Sequence, residues 1–242
     1  MTEALEAHLR RQIEHSRRFF WQRLRWRVVR GYLPPDSALT VVDVGAGAGL
    51  LGDFLARDRP QATYEFIEPI DTLREFLRGR YGESADVANH EHFDGADFVT
   101  LLDVLEHQED DETFLRDLVG KMRPGSMLLL TVPALQSLWS QWDVALGHFR
   151  RYDKNSLLTC TEGLPLSICE VSLLFPEMVP LGILRARRKR ASLPTEDYED
   201  AAFPDLPGFV NDALYGVGTL SLSLRRHWPT GTSLFLAAKV SG

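Results

Sequence analysis

Apolar positions change their period repeatedly along the chain, and each change marks an expected element. Residues 3–32 carry almost no Gly or Pro, and Phe19, Phe20, Leu24, Val28 and Val29 recur at helical intervals, so a long helix is expected to end near Gly31. After the turn-forming PPDS at 34–37, ALTVVDVG is β-branched without alternation, as suits a strand covered on both faces. LLGDFLARD then restores the helical period. The rhythm repeats: ATYEFIE (62–68) and PIDTLREFLRGR (69–80) read as strand and helix, as do DFVTLLD (97–103) and DETFLRDLVGKM (111–122), before PG turns the chain into SMLLLTV (126–132). Strands alternating with helices at this spacing predict an α/β, Rossmann-like doubly wound sheet.

From Pro133 the pattern loosens into ALQSLWSQWDVALGHFRRY, the expected cover or lid of a site. Asp153 is placed to cap a short helix through Leu158 that Gly163 can end, and LSICEVSLLF (166–175) and TSLFLAAKV (232–240) read as strands. Residues 191–207 mix prolines with acidic groups and read as a mobile loop. The expected organisation is one domain over 1–242, with an N-terminal helix (1–33), a ligand-binding core (39–134), a cover (135–165) and C-terminal strands and helices (166–242).

Composition narrows the class. The apolar and charged fractions, 44% and 25%, are those of a globular protein, and a net charge of −7 argues against general affinity for nucleic acid. Cys160 and Cys169 lie in no metal or redox spacing, so two buried thiols in a reducing compartment are expected. The first twenty residues are charged throughout, unlike a secretory signal, and no apolar run approaches the roughly 20 residues that cross a bilayer. Together these predict a cytoplasmic protein without a transmembrane segment.

Gly45, Gly47 and Gly49 in VVDVGAGAGLLG stand where a strand must reverse into a helix and admit a ligand to bare backbone. One glycine would satisfy a tight turn; three at alternate positions favour close ligand contact. Leu50 occupies the last glycine position of a dinucleotide fingerprint, and no GK[ST] follows, so a nucleoside without phosphates is the better ligand. Asp43 can orient the turn or accept a bond from a ligand ammonium. Glu68, at the end of the second strand, offers two acceptor oxygens to a ribose diol, against the plain alternative of a solvated loop charge.

DVGAGAG, the acid at Glu68, and DFVTLLDVLEH followed by RPGSMLLLTVPA resemble the successive motifs of class I S-adenosylmethionine-dependent methyltransferases. The likeness spans 39–134, and the flanks FFWQRLRWRVV and LWSQWDVALGHFRRY, with PTGTSLFLAAKV near the end, are similar to a bacterial subgroup of the type 11/12 kind. The resemblance implies a seven-stranded sheet with the last strand antiparallel, S-adenosylmethionine as cofactor, and methyl transfer to an acceptor. Gly45, Gly47 and Gly49 would flank its methionine part, Glu68 its ribose, Asp103 and Val104 its methionyl end, and Asp86 the adenine amino group.

Methyl transfer from a sulfonium is an in-line displacement that needs alignment, exclusion of water and sometimes a base. His107 in DVLEH and His148 in GHFRRY are the candidate bases, with an orienting loop bond as the bland role for His107. Arg150, Arg151, Tyr152 and Trp139 are the candidate acceptor contacts; the arginines could clamp a carboxylate or phosphate, or form structural ion pairs. Phe20, Trp21, Trp26 and Trp142 could wall the same pocket or pack the core. No metal is assigned, although Asp103, Glu106 and His107, with His148, resemble the ExxEH ligands of some quinone-precursor and RNA 3′-end methyltransferases, with Asp in place of the first Glu.

The expected acceptor is a small molecule, a glycan or a lipid-linked molecule, methylated at oxygen. RARRKR (185–190) after FPEMVPLGIL is compatible with peripheral contact with anionic lipid, or with a solvated helix end. The competing functions are a nicotinamide-dependent oxidoreductase, which Leu50 disfavours, and a catalytically silent S-adenosylmethionine-binding module. The oligomeric state is not readable.

Overall fold

The computed structural model describes residues 13, 15–35, 37–187 and 206–242. Its centre is a six-stranded sheet in the order β2-β1-β3-β4-β6-β5. The strands are β1 (Thr40–Val44), β2 (Thr63–Ile67), β3 (Phe98–Leu102), β4 (Met127–Pro133), β5 (Leu166–Leu174) and β6 (Ser233–Val240). The first four are mutually parallel; β6 inserts between β4 and β5 and runs antiparallel to both.

The helices are α1 (Phe20–Arg30), α2 (Leu50–Asp58), α3 (Asp71–Tyr81), α4 (Asp111–Lys121), α5 (Gln141–Ala145), α6 (Lys154–Thr159), α7 (Val179–Arg187) and α8 (Gly208–Ser223). Alternation along the strands sends Val42, Val44, Val99 and Leu101 to the face that packs Leu115, Leu118 and Val119 of α4. Val41, Leu129 and Phe235 point the other way, against Leu24, Val28 and Val29 of α1 and Leu51, Phe54 and Leu55 of α2. Both faces are covered, which is why β1 and β4 show no regular alternation of apolar and polar residues.

The implied seventh strand is reduced to a single bridge, Phe66 with Asp86, closed by the Val87 amide on the Phe66 carbonyl. After Val87 the segment ANHEHFDG is mostly exposed, with little apolar surface to place on a sheet face, and β2 is left as the edge. The long N-terminal helix is also interrupted, because Phe19 is extended (ψ 128°) between helical residues 15–18 and α1. Asn211 of α8 takes the place of the broken ladder, accepting from the Phe20 amide at 2.8 Å and donating to the Arg18 carbonyl at 2.8 Å. Gly218 lets α8 lie this close, since a Cβ there would sit 2.2 Å from Leu24.

Cys160 is buried as expected, whereas Cys169 is exposed, because β5 is an edge strand whose register shifts between Ile168 and Glu170. The acidic stretch expected to be mobile lies, apart from Leu206 and Pro207, outside the described residues. No helix among the described residues is long and apolar enough to cross a membrane.

Candidate active site

The carboxyl ends of β1, β2 and β3 build the first half of the site. Gly45, Gly47 and Gly49 all adopt positive φ (70°, 57° and 80°), so the turn from β1 into α2 is one that side chains would strain. Gly45 is also closed in by Val104, whose Cγ2 would be 2.5 Å from an added Cβ, while the same atom on Gly47 would meet open space. Glu68 reaches back to this turn and accepts from the Gly47 amide at 2.7 Å and the Ile70 amide at 2.9 Å. Burial raises its carboxyl above the ordinary range, against those two bonds.

Asp43 is buried beneath the turn, accepting from Thr100 at 2.8 Å and Tyr64 at 3.2 Å. Burial pushes its carboxyl up to about 6 in spite of those bonds. Asp103, at the end of β3 with φ 58°, accepts from Thr131 at 2.9 Å and pairs with Arg25 of α1 at 2.8 Å. Arg25, Asp43, Gly45 and Ala46 line a cavity of about 160 Å³ at the glycine turn. Asp86 is separate in character: Arg74 and Arg78 both bond its Oδ2, and the Ala88 amide bonds its Oδ1. These bonds hold its carboxyl low although burial opposes them.

A second cavity, about 320 Å³, opens on the other side of Asp103. Leu105, fully buried, anchors a single helical turn (Leu105–His107) that lifts Glu106 and His107 to its floor. The segment from Leu135 to Arg151 arches over it and is tied at its base by the bridge between Ala134 and Tyr152. Phe19, Phe20, Trp21, Leu138, Trp142 and Met178 supply apolar walls.

Asp143 holds the arch together. It closes a capping box with Ser140, pairs with Arg151 at 2.7 Å, and meets His148 Nδ1 at 3.2 Å. That contact makes Nδ1 the donor, leaving Nε2 as the basic nitrogen, 3.9 Å from Glu106. The rings of His107 and His148 stand edge-on, 4.7 Å apart. Burial, and then His148, lower the His107 pKa, so its imidazole is held neutral. Glu106 is fully buried with neither carboxylate oxygen hydrogen-bonded, and burial followed by the Asp103 charge raises its pKa well above the usual range.

The residues expected to touch the acceptor divide by side. Arg151 lines the cavity and also borders a separate cleft, whereas Arg150 and Tyr152 line that cleft and not the cavity, bonded to Asp111 at 2.7 and 2.6 Å. Alternate side chains of an extended segment leave on opposite sides, so 150 and 152 travel together while the guanidinium of Arg151 turns to Asp143 and the Ala134 carbonyl. Trp139 is not among the residues lining the cavity, whereas Trp142 is; Trp26 stacks on Phe54 in the core. Of the DxxEH pattern, Asp103 is committed to Arg25 and Thr131, and Glu106, His107 and His148 alone have ligand atoms within 4.8 Å of one another.

Three contributors escaped the sequence reading. Arg25 carried no local signal, since its role depends on α1 crossing the end of β3. Met178 lies in the apolar stretch noted only for its composition. Asp143 did have a signal, the capping box Ser140-x-x-Asp143.

A parallel sheet closed by an antiparallel β6, with a glycine turn after β1 and an acid after β2, defines a class I S-adenosylmethionine-dependent methyltransferase. A family model described as a methyltransferase domain matches residues 6–167, and the chain belongs to that family. No curated protein matches the chain by sequence.

Among solved structures, it is similar over its full length to a full-length chain of the Haloferax volcanii Trm112 methyltransferase-activator complex (TM-score 0.60, 12% identity). It is also similar to Haemonchus contortus phosphoethanolamine N-methyltransferase 2 bound to phosphomonomethylethanolamine and S-adenosylhomocysteine (TM-score 0.57, 13% identity). That match covers 90% of this chain and 52% of the other. A Mesorhizobium loti S-adenosylmethionine-dependent methyltransferase matches with TM-score 0.56 and 12% identity over 89% of this chain and 97% of its own. At such identities the likeness is one of fold.

Proposed function

We propose that the chain methylates a hydroxyl of a largely apolar acceptor, a small molecule or the apolar end of a lipid-linked one, in the cavity beneath the 135–151 arch. The observation that carries the reading is the Arg25–Asp103 pair, which stands between the glycine-turn cavity and the acceptor cavity. A donor on one side and an acceptor on the other would meet at Asp103 and Val104.

The residues present fit S-adenosylmethionine. Gly47 leaves open space, Arg25 has a buried Nε without a partner, and Glu68 keeps acceptor sites beyond its two backbone bonds. In this reading Gly45, Gly47 and Gly49 bring bare backbone to the methionyl part. Arg25 faces its carboxylate, Asp43 and Asp103 its ammonium, and Glu68 the ribose diol. Asp86, with three bonds already made, has one acceptor position left for the adenine amino group.

The cofactor supplies an electrophilic methyl on sulfonium. His148 takes the proton from the acceptor hydroxyl at Nε2, while Asp143 fixes its tautomer. With that proton held at Nε2, the acceptor oxygen would take the methyl group in exchange for the sulfur that leaves it. His107, kept neutral, lies beside it, and the aromatic walls exclude water.

A second reading is favoured by one observation, the grouping of Glu106, His107 and His148 around an unpaired carboxylate. Two imidazoles and a carboxylate suit a divalent cation that would acidify the acceptor hydroxyl in place of a protein base.

One set of melting curves tests these readings. S-adenosylhomocysteine at about a hundred times its Kd should raise Tm by roughly 5–10 °C, and NADH should not. No response to S-adenosylhomocysteine on folded protein sinks the proposal. A rise with Mn²⁺ or Zn²⁺ that disappears in His148→Ala, together with turnover abolished by a chelator, replaces the base by the metal.

A further inference from the structure

Two helices flank the acceptor cavity with apolar side chains that face outward. α7 gives Leu181 and Gly182 to the cavity wall and leaves Ile183 and Leu184 exposed. α8 and the turn before it give Leu214 and Leu206 to the wall. Its outer side carries Phe209, Val217, Leu220 and Leu224, all within one stripe at 100° per residue; Phe209 is 79% exposed and Leu220 69%. Asp212, at the margin of that stripe, is paired with Arg23. A helix that is apolar on its outer as well as its inner side is suited to a second apolar phase more than to water.

Charge identifies the phase. α7 ends in Arg185 and Arg187, and the sequence continues with Arg188, Lys189 and Arg190. α8 is followed by Arg225, Arg226 and His227, where two guanidiniums share the single carboxylate of Glu170 and leave a positive excess. Apolar helix faces with basic ends match the boundary of a bilayer that carries anionic headgroups. The chain as a whole has a charge of −7, so such a surface repels the rest of the molecule and selects this side. Leu181 and Arg185 both line the cavity and are exposed, so α7 forms part of its rim.

We propose that the outer faces of α7 and α8 dock on the surface of an anionic bilayer, with the mouth of the acceptor cavity turned towards the lipid. The inference stands independently of which atom is methylated. It makes the lipid phase the route by which an amphiphilic acceptor arrives.

The test is co-sedimentation of the full chain with vesicles of phosphatidylcholine alone or of equal parts phosphatidylcholine and phosphatidylglycerol. Binding to the mixed vesicles should exceed binding to the neutral ones by about tenfold or more, and should weaken as salt is raised. The double variant Leu184→Glu/Leu220→Glu, at positions outside the cavity wall, should lose about tenfold or more of that binding. It should keep the Tm shift produced by S-adenosylhomocysteine, which separates lost docking from lost folding. If the double variant does not fold, the exposed Arg187→Glu takes its place with the same expectation. Absence of binding to the mixed vesicles at low salt overturns the proposal, as does a folded variant that binds like the parent. A parent that dimerises without binding vesicles, and a variant that is monomeric, would assign the face to a second copy of the chain and overturn it too.

Discussion

At the β5 edge, the buried carboxylate of Glu170 accepts from Tyr32, Ser172, Arg225 and Arg226; beneath the arch, the still more deeply buried Glu106 accepts from nothing. Burial works against ionisation in both. At Glu170 it is outweighed by the bonds from Arg225, Tyr32, Ser172 and Arg226, which draw the pKa down to about 2. At Glu106 nothing outweighs it, and the Asp103 charge adds to the penalty. The same side chain thus ties β5 to the turns that follow α1 and α8 in one place, and in the other holds unspent hydrogen-bonding capacity at the floor of a cavity. A fold built for stability alone would have paired or replaced Glu106.

The largest effect should come from breaking the satisfied side. Glu170→Ala leaves Arg225 and the more exposed Arg226 without a counter-charge, and we expect a loss of about 2–3 kcal/mol in chemical denaturation, solvent screening at Arg226 included. The parent should also show a linked acid dependence. Because the folded pKa is lowered, this stabilisation is complete above the unfolded value near 4.5 and fades as pH falls towards about 2. In Glu170→Ala that part of the pH profile should vanish. A variant as stable as the parent would mean that the cluster contributes no net stability.

The next effect belongs to the arch. Asp143→Asn keeps much of the shape but can present its amide to His148 Nδ1, which moves the proton to Nε2 and removes the base. A loss of about a hundredfold in kcat/KM, with the affinity for S-adenosylhomocysteine unchanged, is expected. If both fall together, Asp143 acts through the fold of the arch and not through the imidazole.

How far these two regions could be foreseen follows from the range of the interactions involved. Local periodicity placed α2 at its observed bounds, Leu50–Asp58, and placed β1 to β4 within a residue or two, because each element's own residues decide its period. The seventh strand came from resemblance, and the exposed, polar ANHEHFDG segment did not supply it. α8 was not resolved as an element because GFVNDALYGVGTLSLS is apolar on all sides and gives no amphipathic signal. Within the site, the glycine turn and Glu68 were legible as motif and position. Arg25 was not, since it meets Asp103, 78 positions further along the chain, only once α1 crosses the sheet. Glu106 was visible as one letter of DVLEH, but its lack of partners is a tertiary fact.

The smallest effect is the one that sharpens the comparison most. Glu106→Gln replaces an acid whose charged form is disfavoured by a neutral amide of nearly the same shape. Because the folded pKa is raised, whatever stability Glu106 contributes is fully present below the unfolded value near 4.5 and is lost as pH rises through the folded pKa. The variant should therefore match the parent below about pH 4.5 and exceed it by a margin that grows as pH rises towards the folded pKa, since the parent must hold its proton against the solvent or bury a charge. Under the reading with a divalent cation, turnover should move the other way, because an amide does not bind a cation as a carboxylate does. A variant that is more stable at alkaline pH yet slower would place Glu106 opposite to Glu170, retained at the expense of the fold. A variant that is less stable at every pH would show that the carboxylate has structural partners after all, and the contrast between the two glutamates would be lost.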